Sequence, residues 1–218
     1  MSNELKIYKN RGDFAKSMLV KYFPLAPNII VSDIGSGFGF MKPFIEAVGG
    51  TWQPFDYVKK IEQSIIWDLN KPCPQEAQKA GTIIFLEVLE HLPNPLLSLQ
   101  HISNHIDTGG HIILTTPNPQ NSKNIINLML KGTLYAFQEK HLQEYHVFTP
   151  WEHIVKDFLN TVGFEVVEYA CVDTAYQNEK RTGIKSKAKR LLERFFEKRN
   201  PKAVGMSYGI VAKKIENR

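Results

Sequence analysis

Residues 28–40 read NIIVSDIGSGFGF, and no other run constrains the chain as strongly. Ile29, Ile30, Val31 and Ile34 make a near-continuous apolar, β-branched stretch with Asp33 near its end. That is the pattern of a strand buried on both faces of a parallel sheet. Gly35, Gly37 and Gly39 follow at alternate positions. Lacking Cβ atoms, such a turn lets backbone N–H groups approach a ligand where a strand feeds a helix. The dinucleotide fingerprint is G-x-G-x-x-G, whereas here the third glycine comes one residue early and Phe40 stands in its place. This departure argues against a nicotinamide or flavin enzyme.

The rest of the chain continues in βα units. Residues 12–23 space Phe14, Met18, Leu19, Tyr22 and Phe23 as one helix face, with Asp13 as a candidate N-cap. After the glycines, MKPFIEAVGG predicts a helix with Pro43 in its first turn and Gly49–Gly50 as its stop. TWQPFDYVKK supplies a second strand ending at Asp56. An acid in that place, about 20 residues past the glycines, hydrogen-bonds ribose hydroxyls in sheets of this kind. Asp56 stands 19 past Gly37, although an aspartate there can also serve only a turn or a helix cap. SIIWDLN gives a short third strand, GTIIFLEVLEHL a fourth, and HIILTTPNP a fifth after the Gly109–Gly110 turn. Helix PWEHIVKDFLNTVG, strand FEVVEYACVD and a final strand SYGIVAKK complete the chain.

An acid before G-x-G-x-G, then E-V-L-E-H after an apolar strand, then a glycine turn leading to T-P-N, resembles the class I, Rossmann-like S-adenosylmethionine (SAM) methyltransferases. Within that class the chain is similar to the ubiquinone-biosynthesis type and to methyltransferases associated with bacterial surface polysaccharides. The resemblance covers roughly residues 28–215 and is firmest over 28–118. It implies an α/β fold: a mostly parallel seven-stranded sheet with helices on both faces, an antiparallel last strand, and a lid inserted after strand five. It also implies a cofactor-binding set. Asp33 reaches the ammonium of SAM, and Gly35, Ser36, Gly37 and Gly39 seat its methionine end. Asp56 takes the ribose, Asp68 and Leu69 meet the adenine, and Glu87 and Val88 lie at the end of strand four facing the cofactor. Asp68 as a plain helix cap stays open as an alternative.

For a hydroxyl acceptor a general base is valuable, and histidine suits that work. The candidates are His146 and His141 in the segment 119–149, and His91, which either caps the following helix or sits near the sulfonium. The spacing of the two lid histidines and their neighbouring acids matches no usual ligand pattern, so no metal is expected.

At 218 residues the chain fits one methyltransferase domain, 1–218, carrying the lid at 119–149. A basic segment at 179–202 forms the second insertion. That segment holds ten basic and three acidic residues, a local +7, so the overall +5 belongs to it and not to the domain at large. Within it, residues 184–199 place Ile184, Ala188, Leu191, Leu192, Phe195 and Phe196 on one side and Lys/Arg opposite. Such a helix either packs on the domain or docks on anionic lipid; nucleic acid is not expected. The N-terminus carries no signal-peptide pattern, and Cys73 and Cys171 form neither a disulfide framework nor a metal spacing. A cytoplasmic location is therefore expected, with the inner membrane face as the alternative for the basic helix.

The function these features imply is O-methylation of a sugar or other small-molecule hydroxyl, such as a surface-glycan or lipid-linked precursor. Two alternatives stay open: a quinone- or phenol-precursor methyltransferase at the membrane surface, and a non-catalytic SAM-binding subunit.

Overall fold

The computed structural model describes residues 5–24, 26, 28–137, 146–178, 180 and 182–215. The strands are β1 (Lys6–Ile7), β2 (Ile30–Ile34), β3 (Thr51–Asp56), β4 (Ile65–Ile66), β5 (Ala80–Leu86), β6 (Ile106–Pro117), β7 (Phe164–Val172) and β8 (Ser207–Lys214). The principal helices are α1 (Arg11–Tyr22), α2 (Lys42–Ala47), α3 (Pro95–His105), α4 (Ser122–Lys131), α5 (Glu152–Thr161) and α6 (Ile184–Arg199).

Strict alternation along the central strands builds two cores, one on each face of the sheet. Ile83 and Phe85 of β5, Ile112 and Leu114 of β6, and Ile210 and Ala212 of β8 pack against Leu99 and Ile102 of α3 and Val155 and Leu159 of α5. The intervening Ile84, Ile113 and Val211 turn to the other face, against Phe14, Met18 and Leu19 of α1 and Ile45 of α2. The strand order is β1-β7-β8-β6-β5-β2-β3-β4. β8 runs antiparallel to both its neighbours, and the remaining pairs are parallel. From β2 the chain builds outward to β3 and β4, then returns to add β5 on the other side. The carboxyl end of β2 is therefore a topological switch point, where open α/β sheets hold their ligands.

The Rossmann-like architecture expected from the sequence is the one observed, with differences at its edges. Among the described residues the sheet has eight strands, not seven, because Lys6 and Ile7 pair with Ala170 and Cys171. Two residues leave no periodicity to read. Lys6 is tied instead by an ion pair to Glu168, and the Tyr8 amide donates to the Cys171 carbonyl. Asn10, not Asp13, caps α1: its side chain accepts from the Asp13 amide at 2.8 Å and donates to the Asp13 carboxylate at 2.8 Å. The third strand shrinks to Ile65–Ile66, so Asp68 lies in a turn beyond it.

The largest difference concerns α6. Its apolar side does not pack on the domain: Ile184 is 88%, Leu191 67% and Phe195 57% exposed. The inward face is charged. Arg190 reaches Glu193 at 3.1 Å and Glu197 at 2.9 Å, and Glu193 is fully buried. Glu197 also accepts from Ser122 of α4, Tyr176 and Gln177. The two segments read as separate insertions thus pack together through α4 and α6.

At the β1–β7 edge, burial alone would raise the Glu168 carboxyl, but hydrogen bonds from Lys21, Lys6 and Tyr22 outweigh it and hold the group at about 2. A depressed carboxyl contributes stability above its ordinary value near 4.5 that is lost as pH falls toward 2. Both lysines are about half exposed, so screening limits the contribution to about 1 kcal/mol or less. Thermal denaturation of Glu168→Gln between pH 5 and 2 is expected to show a flatter fall in Tm than the parent protein. Parallel curves would remove this ion-pair group from the acid-stability account.

Candidate functional site

The glycine turn is fastened to the end of β3. The Gly35 and Ser36 amides both donate to the Phe55 carbonyl, at 2.9 and 3.0 Å. The Gly37 amide donates to Asp56 Oδ2 at 3.0 Å, and the Tyr57 amide to Oδ1 at 2.9 Å. Lys60 Nζ lies 3.4 Å from the same carboxylate. Asp56 thus joins two adjacent strand ends and keeps lone pairs for a further donor.

Gly35 and Gly37 need their glycine character for different reasons. Both have positive φ, +76° and +55°. A Cβ on Gly35 would come within 2.4 Å of Val88 Cγ2, whereas one on Gly37 would meet none of the described residues within 4 Å. Gly35 therefore serves close packing, and Gly37 borders open space at the sheet's edge. Beside it the buried Ser36 hydroxyl has no hydrogen-bond partner among the described residues.

Asp33 projects to the α1/α2 face and accepts from Trp52 Nε1 at 3.0 Å. Burial raises its carboxyl to about 6; the Trp52 bond opposes the rise and the nearby Asp56 charge adds to it. Asp68 accepts from the Asn70 amide and side chain, both at 3.0 Å, and these bonds hold its carboxyl below the ordinary range. It caps a turn there, not a helix. Leu69 is buried in the core with Trp67.

Past β5 the backbone turns sharply. Glu87 adopts φ +54°, a left-handed conformation that a residue with a Cβ rarely takes, and the strain marks this edge. Its carboxylate meets Arg11 at 3.2 Å and accepts from Ser207 Oγ at 3.2 Å, while Arg11 also pairs with Asp173. Burial nonetheless raises the Glu87 carboxyl. The next turn, Leu89–His91, is a single turn of 3-10 helix. His91 does not cap α3; Asn94 does, accepting from the Leu97 amide. His91 instead stands edge-on to His146, with ring centroids 4.7 Å apart. Glu90, 1% exposed, completes the group. It accepts from Thr116 Oγ1 at 3.0 Å, and its backbone carbonyl accepts from the Val147 amide at 2.9 Å. Its carboxyl is pushed up to about 8, first by burial and then by the Glu87 charge.

Two of the three candidate histidines, His91 and His146, therefore meet; His141 lies outside the described residues. Sequence reasoning left Glu90 without a role and did not reach Arg11, Thr116 or Trp52. The signal for Glu90 was present as an acid inside the apolar run FLEVLEHL. Elsewhere, a surface depression lined by Lys6, Lys21, Tyr169 and Lys202 lies toward β7, away from the glycine turn. Its lysines are paired with Glu168 and Glu152.

A family model described as a methyltransferase domain matches residues 10–169. The chain belongs to this methyltransferase family. As a methyltransferase it uses SAM as its cofactor. The glycine turn with open space over Gly37, the unpartnered Ser36 hydroxyl and the Asp56 lone pairs fit such a ligand. Among solved structures, a SAM-dependent methyltransferase from Archaeoglobus fulgidus is 20% identical with a TM-score of 0.61, covering 94% of this chain and 95% of its own. A putative methyltransferase from Bacillus halodurans is 17% identical with a TM-score of 0.62, covering 92% and 99%. The magnesium protoporphyrin IX methyltransferase of Synechocystis, solved with bound SAH, is 17% identical with a TM-score of 0.60, covering 93% and 81%. At these identities the structures show a shared fold. No curated protein matches the sequence significantly.

Substituting the two glycines should separate fold from binding. Gly37→Ala is expected to cost only the left-handed backbone penalty, about 1–2 kcal/mol, while its methyl fills the open space and abolishes SAH binding in a calorimeter. Gly35→Ala adds the Val88 clash and should lower Tm further. SAH affinity unchanged in a folded Gly37→Ala would put the cofactor elsewhere.

Proposed function

We propose that this methyltransferase methylates a hydroxyl of a small-molecule or glycan acceptor, held beside Glu90, His91 and His146 at the carboxyl edge of the sheet. The observation that supports this reading is the pairing of two groups at one switch point: the glycine turn tied to Asp56, and the acid–imidazole group one turn past Val88. Asp56 would take the ribose hydroxyls, Gly35, Ser36, Gly37 and Gly39 the methionine end, and Asp33 the ammonium. Asp68 would take the adenine amino group with Leu69 behind it, and Val88 would line the cofactor's side. Glu87 stays on Arg11 and Ser207, bracing the strand end.

SAM supplies a methyl group on a sulfonium sulfur, ready for in-line displacement by an acceptor oxygen. The protein's part is alignment and removal of the hydroxyl proton. His146 and His91 are the candidates for that proton, and His141 shares the reading through its place in the segment 119–149. That segment would act as the lid over the acceptor. The sequence resemblance to polysaccharide-associated and ubiquinone-type enzymes supports a glycan, lipid-linked or phenolic acceptor.

The test of the cofactor geometry is pH. SAM carries its ammonium to an ionised Asp33, and that carboxyl, raised to about 6, is neutral at lower pH. SAM affinity measured by calorimetry should therefore fall as pH drops from 7.5 to 5, approaching roughly tenfold per unit below the pKa. Asp33→Asn should bind weakly with a flat profile. A flat profile in the parent protein would detach Asp33 from the ammonium. The acceptor is found by screening nucleotide sugars, saccharides and catechols for SAH release; turnover of none would favour a SAM-binding subunit.

A second reading concerns where the enzyme works, and one observation favours it. Ile184, Leu191 and Phe195 face outward with Lys187, Arg194, Lys198 and Arg199 exposed beside them, and Met129 and Leu130 of α4 are exposed too. An apolar stripe flanked by cations fits the interface of an anionic bilayer. Among the described residues no helix is long and apolar enough to cross a membrane, so contact would be peripheral. The protein should float with vesicles containing phosphatidylglycerol and not with phosphatidylcholine alone. The double variant Leu191→Glu, Phe195→Glu should stay behind. Equal flotation of the variant would end this reading.

A further inference from the structure

The edge of the sheet at β1 and β7 gathers cations that methyl transfer does not use. Among the described residues β1 pairs with Ala170 and Cys171 alone, so the first half of β7 lies beyond it. A bulge at Val167 shifts the β7–β8 register, from Val166 opposite Ala212 to Glu168 opposite Val211. Bulges at sheet edges re-aim the side chains around them. A depression of about 630 Å³ opens here, with Val166, Val167, Pro201 and the Tyr169 ring among its walls. Lys6 reaches it from β1, Lys21 from the end of α1 and Lys202 from the turn after α6.

The charges there do not balance. Lys6 and Lys21 share one carboxylate, Glu168, which also accepts from the Tyr22 hydroxyl at 2.6 Å. Lys202 and Lys156 share another, Glu152, with Lys156 at 3.8 Å. Four ammonium groups thus meet two carboxylates among the described residues, an excess of two positive charges. Like charges gathered on one face repel and weaken the compact state unless a counter-charge offsets them. The Tyr169 ring holds two of the cations in place, with Lys156 Nζ 4.9 Å and Lys202 Nζ 5.2 Å from its centroid. An ammonium group carries three N–H donors, and a carboxylate oxygen engages one of them. The Lys6, Lys21 and Lys202 side chains remain 48, 47 and 41% exposed. They can therefore donate to an anion without releasing their glutamates.

We propose that this depression binds a soluble organic diphosphate, at a site separate from the glycine turn. Lysine meets a phosphate as a point charge. Lysines from three elements around one concavity suit a group whose charge is spread over several oxygens. The excess of two positive charges is the counterpart such an anion needs. Val166, Val167, Pro201 and the Tyr169 ring offer an apolar wall to the organic body attached to it. The volume lies within the range of small-molecule sites, which are concave and combine apolar walls with a few placed polar groups. That concavity favours a soluble ligand over a lipid headgroup presented from a flat bilayer.

The test is a calorimetric titration with sodium pyrophosphate. It compares the parent protein with the double variant Lys21→Gln, Lys202→Gln, and with Lys187→Gln, Lys198→Gln on the exposed side of α6 as a control of equal charge loss. The first variant leaves each glutamate one lysine, Lys6 on Glu168 and Lys156 on Glu152, so it should keep the parent's circular dichroism. The parent and the α6 variant should take up one pyrophosphate per chain with the same affinity. The Lys21→Gln, Lys202→Gln variant should bind roughly tenfold or more weakly. No saturable uptake by the parent would overturn the site. So would equal affinity in the two variants, because any binding would then belong to the basic surface at large. Flotation with vesicles of phosphatidic acid in phosphatidylcholine tests the other source of phosphate. Flotation that needs Lys21 and Lys202, without pyrophosphate uptake, would assign these lysines to a lipid headgroup and overturn the soluble ligand.

Discussion

The hydrogen bond from the Gly37 amide to Asp56 is the constraint on which the proposed cofactor side of this molecule depends. It couples the turn after β2 to the end of β3, two elements that are neighbours in the sheet and bring different chemistry. The turn offers backbone donors and open space; the aspartate offers an anion fixed by two amides. Because the Phe55 carbonyl also anchors the Gly35 and Ser36 amides, the turn cannot lift without breaking three bonds together. A ligand that spans sugar and amino-acid tail therefore meets a preformed surface, and little ordering cost remains for binding.

The side proposed to hold the acceptor is built differently. There the organising residue is Glu90, a carboxylate with 1% exposure next to a second acid. Burying such a group is costly unless its surroundings use it. Arg11, brought over from the start of α1, balances Glu87 and Asp173 but is not bonded to Glu90. The left-handed backbone at Glu87 is part of the same edge. Strain and buried carboxyl groups thus collect on one side of the switch point, and backbone hydrogen bonds on the other.

The central sheet was legible because β5, β6 and β8 carry near-continuous apolar runs of the kind a strand buried on both faces needs, although β6 starts at Ile106 and runs through Gly109 and Gly110, where a turn was expected. The glycine turn beside Asp56, proposed to hold the cofactor, could be located from the sequence because its residues are close together: the glycines follow Asp33 directly, and Asp56 closes the next strand. What escaped did so for physical reasons. β1 is two residues long and is held by an ion pair, which leaves no pattern. The inward face of α6 reads as surface because Arg190, Glu193 and Glu197 are charged. Their mutual pairing, and the bonds to Glu197 from Ser122, Tyr176 and Gln177, make burial tolerable. The meeting of His91 with His146 depends on how the chain returns after α4, and hydrophobic periodicity carries no information about that.

Trp52 donates its indole N–H to Asp33, the residue proposed to receive a ligand's ammonium. Of the other two tryptophans, Trp67 is buried with its N–H on the Lys71 carbonyl and Trp151 is half exposed beyond the sheet. An indole whose hydrogen-bond acceptor changes charge state shifts its emission. The fold therefore carries an intrinsic optical reporter at the cofactor's amino-acid end, readable without any label.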